Sequence, residues 1–280
     1  MYAIRCFMEQ LVINVKNLKI SNDLPFILIA GPDSIESENH ALFMAGEIKR
    51  ITTEVGVPYI FKASYDKANR TSIKSFRGVG LKKGMEILSE VKKQLKIPVT
   101  TDVHSVEQAI KVGDIVDLIQ IPSFLSRQTD LLLAAGKTGK PVNIKKGPFI
   151  APYDINNLIE KVISTRNKQI MITERGTIFG YNNVVADMRS LEIMKRFHYP
   201  VIFDASHTVQ LPSGLQNKSG GDRSLIPALA RAAIAVSIAG IFIEVHNDPD
   251  NAPVDGLNSL NLKDLPTLLK TLKSIDQIVK

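Results

Sequence analysis

The 280 residues carry a formal net charge of +7, a hydrophobic fraction of 44% and a single cysteine, Cys6. No apolar run approaches the roughly 20 residues needed to cross a bilayer, and a lone cysteine near the start of the chain excludes an intramolecular disulfide framework. Met1 to Lys19 shows neither an apolar h-region nor a small-residue cleavage site, so the sequence reads as a soluble, cytoplasmic protein with no membrane span.

The chain opens with an extension over residues 1–25 that carries a small hairpin, Leu11–Val15 and Leu18–Ile20. An alternation of short apolar strands and amphipathic helices follows. The spacing predicts a strand at Phe26–Ala30 and a helix from about Glu36 to Thr53, then a strand at Tyr59–Ala63 and a helix at Leu81–Leu95. Between that second pair lies Ser64–Gly80, a polar loop long enough to suggest function.

Next come Pro98–Asp102 with Val106–Val112, and Leu118–Ile121 with Gln128–Lys137. Pro141–Lys145 precedes Ile155–Thr165, and Ile170–Thr173 precedes Val184–Arg196. Val201–Phe203 is paired with Asp222–Ile238, and Ile241–Glu244 with Leu262–Val279. The segment Thr208–Gly221, rich in glycine, reads as a mobile loop over one edge.

These eight strand-helix units span residues 26–280 without a composition break, and the length suits the roughly 250 residues of a (β/α)8 TIM barrel. An open doubly wound sheet is the alternative α/β arrangement, but the chain has neither a G-x-G-x-x-G turn nor a P-loop. The Lys and Arg residues are scattered over predicted helices, with few aromatics to stack on bases. The positive charge therefore points to small phosphorylated substrates rather than to nucleic acid.

In such a barrel the C-terminal strand ends carry the chemistry. Those ends supply, in order, Asp33, Lys62, Asp102, Gln120, Lys145-Lys146, Glu174-Arg175, Asp204 with His207, and Glu244 with His246. Strand ends meet solvent and are often polar, so one or two such residues would carry no weight. Every strand contributing to one rim does.

The rim divides by charge. Lys62, Lys67, Arg70, Lys145 and Arg175 are cations suited to phosphate and carboxylate, and their number suggests more than one anionic group. Lys74 and Lys146 read as surface lysines or ion-pair partners. Asp33, His207, Glu244 and Asp255 form the second group, a set of hard donors suited to a divalent cation. Without one, carboxylates gathered there would repel, and at least one pKa would rise or the lysines would serve as counter-ions.

The motifs resemble the 3-deoxy-D-manno-octulosonate 8-phosphate synthase family, also called 2-dehydro-3-deoxyphosphooctonate aldolase, of lipopolysaccharide precursor synthesis. The likeness runs through Ala30-Gly31-Pro32, Lys62-Ala63-Ser64-Tyr65-Asp66-Lys67-Ala68-Asn69-Arg70, Thr101-Asp102-Val103-His104, Gln120-Ile121-Pro122, Asn143-Ile144-Lys145-Lys146-Gly147, Glu174-Arg175-Gly176, Asp204-Ala205-Ser206-His207 and Glu244-Val245-His246. It implies a transferase that condenses phosphoenolpyruvate with arabinose 5-phosphate and releases phosphate. The related 3-deoxy-arabino-heptulosonate 7-phosphate synthases share the barrel, and a non-catalytic phosphosugar-binding barrel is a third reading.

The resemblance implies roles residue by residue. Lys62, Lys67, Lys145 and Arg175 match the phosphoenolpyruvate site, with Gln120 beside it, while Asn69, Arg70 and Thr71 match the segment that holds the pentose phosphate. Lys62, Asp102, His207 and Asp255 are the catalytic candidates, and a homotetramer is expected. The family divides into a metal-dependent branch with Cys after Gly-Pro and a metal-independent branch with Asn, whereas this chain has Asp33. Asp33, His207, Glu244 and Asp255 are the expected metal ligands. A carboxylate in place of a thiolate hardens the site and shifts preference from Zn or Fe(II) towards Mn(II) or Mg(II); no organic cofactor is expected.

Overall fold

Eight runs rich in Ile, Val, Leu and Phe are buried along both faces, as strands covered by helices on one side and closed upon themselves on the other must be. The computed structural model describes residues 9–70, 72–215 and 218–280. Its barrel strands are β1 (Ile27–Gly31), β2 (Tyr59–Lys62), β3 (Val99–Asp102) and β4 (Leu118–Ile121). They continue as β5 (Val142–Lys145), β6 (Ile170–Glu174), β7 (Val201–Asp204) and β8 (Gly240–His246). Each pairs in parallel with the next, and Glu244 of β8 opposite Gly31 of β1 closes the ring.

The helices are α1 (Glu38–Val55), α2 (Leu81–Leu95), α3 (Val106–Gly113) and α4 (Thr129–Lys137), followed by α5 (Ile155–Ile163), α6 (Met188–Lys195), α7 (Ile226–Ala235) and α8 (Leu265–Val279). Local chemistry sets their ends. Ser37 caps α1 by accepting from the His40 N–H, and Gly56 ends it in the left-handed region at φ 70°. Ser105 caps α3 in the same way through the Gln108 N–H.

The eightfold alternation and the N-terminal hairpin, Ile13–Val15 with Leu18–Ile20, match the sequence reading. Two segments differ. Val184–Arg196 is not helical throughout: Val184–Val185 pairs with Thr177–Ile178, and the helix starts only after Asp187, whose side chain caps it. The β-branched pair favours an extended backbone there. Thr208–Gly221, read as a mobile loop over one edge, contains an antiparallel pair, Gln210–Leu215 with Lys218–Gly221.

Two apolar layers result. The larger lies between the barrel and the helices, with Leu28, Phe61, Val142, Ile144 and Ile172 facing outward from the strands. The smaller fills the lower barrel, where Ile29, Ile60, Leu118, Met171, Ile202 and Phe242 meet Ile13, Val15 and Ile20 of the hairpin. The hairpin thus plugs the N-terminal end of the barrel and leaves the opposite mouth for chemistry.

Candidate active site

That mouth holds a cavity of about 450 Å³. Its lining brings together Asp33, Lys62, Lys67, Asn69, Arg70, Asp102, Gln120, Lys145, Arg175, His207 and Asp255, all named from the sequence. Thr71 lies outside the described residues. Glu244 does not line the cavity: it is fully buried beneath Lys62, with Oε1 3.2 Å from the Lys62 ammonium.

Close packing of the first two strands sets the entrance to the site. A Cβ on Gly31 would fall 2.0 Å from the Lys62 carbonyl oxygen, so only glycine lets β1 pass β2 at this level. Two residues on, Asp33 is buried, and the Lys67 ammonium from the long loop after β2 rests on its Oδ1. Asp33 Oδ2 has no hydrogen-bond partner. Burial alone would raise the Asp33 pKa, but Lys67, Lys62 and His207 hold it well below the ordinary carboxylate range.

Lys62 and Lys145 rise from β2 and β5 over one aromatic floor, the Phe242 ring, at 5.4 and 3.9 Å from its centroid. Lys62 donates to the Ser64 hydroxyl at 3.0 Å, and Ser64 donates in turn to Asp102 Oδ1. The other Asp102 oxygen lies 2.9 Å from His104 Nε2. Lys145 pairs with Asp204 Oδ2 at 2.6 Å, and the same oxygen stands 2.8 Å from His207 Nδ1. Burial draws the Lys145 pKa down, with Asp204 opposing it.

Asp33, His207 and Asp255 each offer one donor atom within 4.8 Å of the others. Glu244 stands outside this trio, although its Oε2 is buried without a partner. Two oxygens aimed nowhere and three donors from different strands fit a hard divalent cation. The expected carboxylate repulsion is present as well. Burial raises the Glu244 pKa to about 8, offset in part by Lys62 and reinforced by Asp33. Burial and Asp33 raise Asp255 to about 6. Burial lowers His207 to about 4, against the pull of Asp204.

Several contributors carried little signal in the sequence. Gln210 accepts from Arg175 Nη2 at 3.0 Å and donates to Asp255 Oδ2 at 3.0 Å, linking a cation of β6 to the loop after β8. It sits in the segment read as a mobile loop. Asp255 itself adopts the left-handed region at φ 47°, uncommon outside glycine, and Arg70 Nη1 lies 3.6 Å from its Oδ1. Of the two lysines read as surface or paired, Lys74 is exposed, while Lys146 is fully buried against Glu174.

A second cluster, Glu36, His40 and His246, also gathers metal-type donors. Its hydrogen bonds assign it a different role. His246 Nδ1 accepts from the Asp248 N–H at 2.9 Å, so Nε2 carries the ring proton and donates to Glu36 Oε1 at 2.8 Å. This bond straps the loop after β1 to the loop after β8.

The profile of the DAHP synthetase I family matches residues 10–280. A 2-dehydro-3-deoxyphosphooctonate aldolase of Rickettsia bellii is 55% identical over 271 residues, covering 97% of this chain and 99% of the relative. Proteins of the same name from Bartonella quintana and Geotalea uraniireducens are 52% and 55% identical, covering 98% and 96% of this chain and 99% and 98% of their own lengths.

Proposed function

We infer the reaction of this chain from its kinship: it belongs to the DAHP synthetase I family, among the 2-dehydro-3-deoxyphosphooctonate aldolases. It condenses phosphoenolpyruvate with D-arabinose 5-phosphate and water, giving 3-deoxy-D-manno-octulosonate 8-phosphate and inorganic phosphate. The observation that carries this reading is the identity of 52–55% over nearly the whole chain with proteins of that name. Steady-state phosphate release from the two substrates together tests it. Turnover with erythrose 4-phosphate instead of arabinose 5-phosphate would place the chain with the heptulosonate synthases, and absence of turnover would leave a binding protein.

C3 of the enol attacks the aldehyde carbon of the pentose, water adds at C2, and the resulting hemiketal phosphate collapses with C–O cleavage. The protein has to bring two multiply charged anions together and stabilise the oxygen that gains charge when the aldehyde is attacked. Lys62, Lys67, Lys145 and Arg175 are our assignment for phosphoenolpyruvate, with Gln120 beside them. Asn69, Arg70 and Thr71 are our assignment for the pentose phosphate. The cavity lining supports anionic substrates here, because Lys62, Lys67, Arg70, Lys145 and Arg175 face one volume.

Proton handling falls to groups already linked. The chain from Lys62 through Ser64 and Asp102 to His104 supports a role for Lys62 as proton donor to the new hydroxyl, with the ionised Asp102 orienting it through Ser64. As the alternative to a role as metal ligand, His207, held towards the neutral form by burial and with Nδ1 facing Asp204, is suited to accept a proton from the attacking water at Nε2. Asp255 stands beside it, with 4.0 Å between His207 Nε2 and Asp255 Oδ2.

We also propose a divalent cation at Asp33, His207 and Asp255, with Glu244 as a further donor. When bound it would polarise the aldehyde or activate water, and the oxygen-rich donors favour Mn(II) or Mg(II) over Zn or Fe(II). A homotetramer and a cytoplasmic location complete the reading. Exposed Phe179 and Tyr181, at 75% and 99%, support contact with a second copy of the chain. Among the described residues no helix is long and apolar enough to cross a membrane.

A further inference from the structure

An ion pair that touches no part of the cavity lies on the outer face of the barrel, between the ends of β5 and β6. Lys146 and Glu174 are 0% and 1% exposed, and 3.4 Å separates Lys146 Nζ from Glu174 Oε1. Side chains alternate along a strand. Lys145 and Arg175 therefore face the mouth, while their chain neighbours Lys146 and Glu174 face the apolar layer under the helices.

Stability does not account for charges in that layer. Taking two ions out of water costs several kcal/mol each, and apolar replacements of buried pairs are often neutral or stabilising. The contacts of the pair show what it does instead. Glu174 Oε1 accepts from the Gly176 N–H at 2.7 Å, closing a turn whose middle residue is Arg175. Gly176 has φ 91°, and a Cβ there would meet Val184 Cγ1 at 2.3 Å, so the turn has little freedom to move. Glu174 Oε2 accepts from the Ser190 hydroxyl of α6 at 2.8 Å.

Lys146 secures the other strand. Its ammonium donates to the carbonyls of Gly147 and Ile150 at 3.3 and 3.1 Å, and its N–H donates to the Thr173 carbonyl at 2.8 Å. Both ends of the pair thus grip backbone immediately after a cation of the mouth. We propose that Lys146 and Glu174 are positioning residues, which hold Lys145 and Arg175 at the separation that the phosphoenolpyruvate anion requires. The proposal rests on the assignment of Lys145 and Arg175 to that substrate.

The double variant Lys146→Met/Glu174→Gln removes both charges, keeps an amide oxygen for the Gly176 N–H and turns an amide N–H towards the Ser190 hydroxyl, which then accepts. Its melting temperature is expected to stay within ~3 °C of the parent. The KM for phosphoenolpyruvate should rise on the order of tenfold, with kcat and the KM for arabinose 5-phosphate within about twofold. Glu174→Gln alone is the second variant: it leaves the buried Lys146 ammonium without its counter-charge and should melt lower than the double variant, while its folded fraction shows the same pattern of KM changes. An unchanged KM for phosphoenolpyruvate in a folded variant, or equal rises for both substrates, overturns the proposal. Arg175→Lys in the same assay separates the two layers. If it raises the phosphoenolpyruvate KM while the pair variants do not, only the positioning role falls; if it does not, the site assignment falls and the positioning role with it.

Discussion

The Lys67 ammonium rests against the Asp33 carboxylate, in a trio of donors where Asp33 Oδ2 remains without a partner. A divalent cation drawn to Asp33, His207 and Asp255 meets that ammonium as a like charge. Lys67→Met is therefore expected to bind Mn(II) about tenfold more tightly or better, as measured by titration calorimetry on substrate-free enzyme. Equal affinity in parent and variant would show that Lys67 does not compete. Absence of Mn(II) binding by both, together with full turnover after exhaustive chelation, would remove the metal from the reading altogether.

Arg70 and Lys67 share one loop but are assigned to different substrates. Arg70→Ala should raise the KM for arabinose 5-phosphate on the order of 10- to 100-fold, the range for loss of a hydrogen bond to a charged group. The KM for phosphoenolpyruvate should change by much less. Equal losses for both would contradict the division of labour along Lys62–Arg70.

The Asp102–His104 pair gives a pH signature in stability. Burial opposes protonation of His104, but the hydrogen bond and charge of Asp102 win and raise its pKa above the ordinary 6.5. The folded protein thus holds the His104 proton more tightly than the unfolded chain. That contribution is complete below about pH 6.5 and is lost as pH rises through the folded-state value. Asp102 is held well below its ordinary 3.8 despite burial, so its own contribution is present above that value and lost as pH falls through the folded one. Urea denaturation at several pH values should show the parent losing stability on the alkaline side relative to His104→Gln; parallel profiles would refute the assignment.

Gly31 marks a steric limit. With the Lys62 carbonyl 2.0 Å from where a Cβ would stand, Gly31→Ala must push β1 and β2 apart at the level of Lys62. A loss of about 3 kcal/mol or more is expected in urea unfolding, with turnover falling in the protein that remains folded. A variant as stable as the parent would mean that the strands separate there without cost.

The barrel was legible because its signal is local and repeated. Runs such as Ile27–Ala30 and Leu118–Ile121 are buried on both faces, and the polar residues that follow them reach one rim by topology alone. What escaped depends on which neighbour lies across a strand or a loop. Lys145 and Lys146 look alike in sequence, yet one faces the mouth and the other the helix layer, where Glu174 meets it. Glu244 was grouped with the other acids, but its place beneath Lys62 follows from the register of β8 against β1. Gln210 shows no pattern at all, because its role exists only when Arg175 and Asp255 arrive on either side.

The N-terminal hairpin has an effect on traffic. With Ile13, Val15 and Ile20 seated in the lower barrel and Phe242 lying between them and the lysines, the base of the barrel is filled by side chains of the described residues. In the reaction we propose, both substrates and the released phosphate would therefore share the charged lip of the mouth.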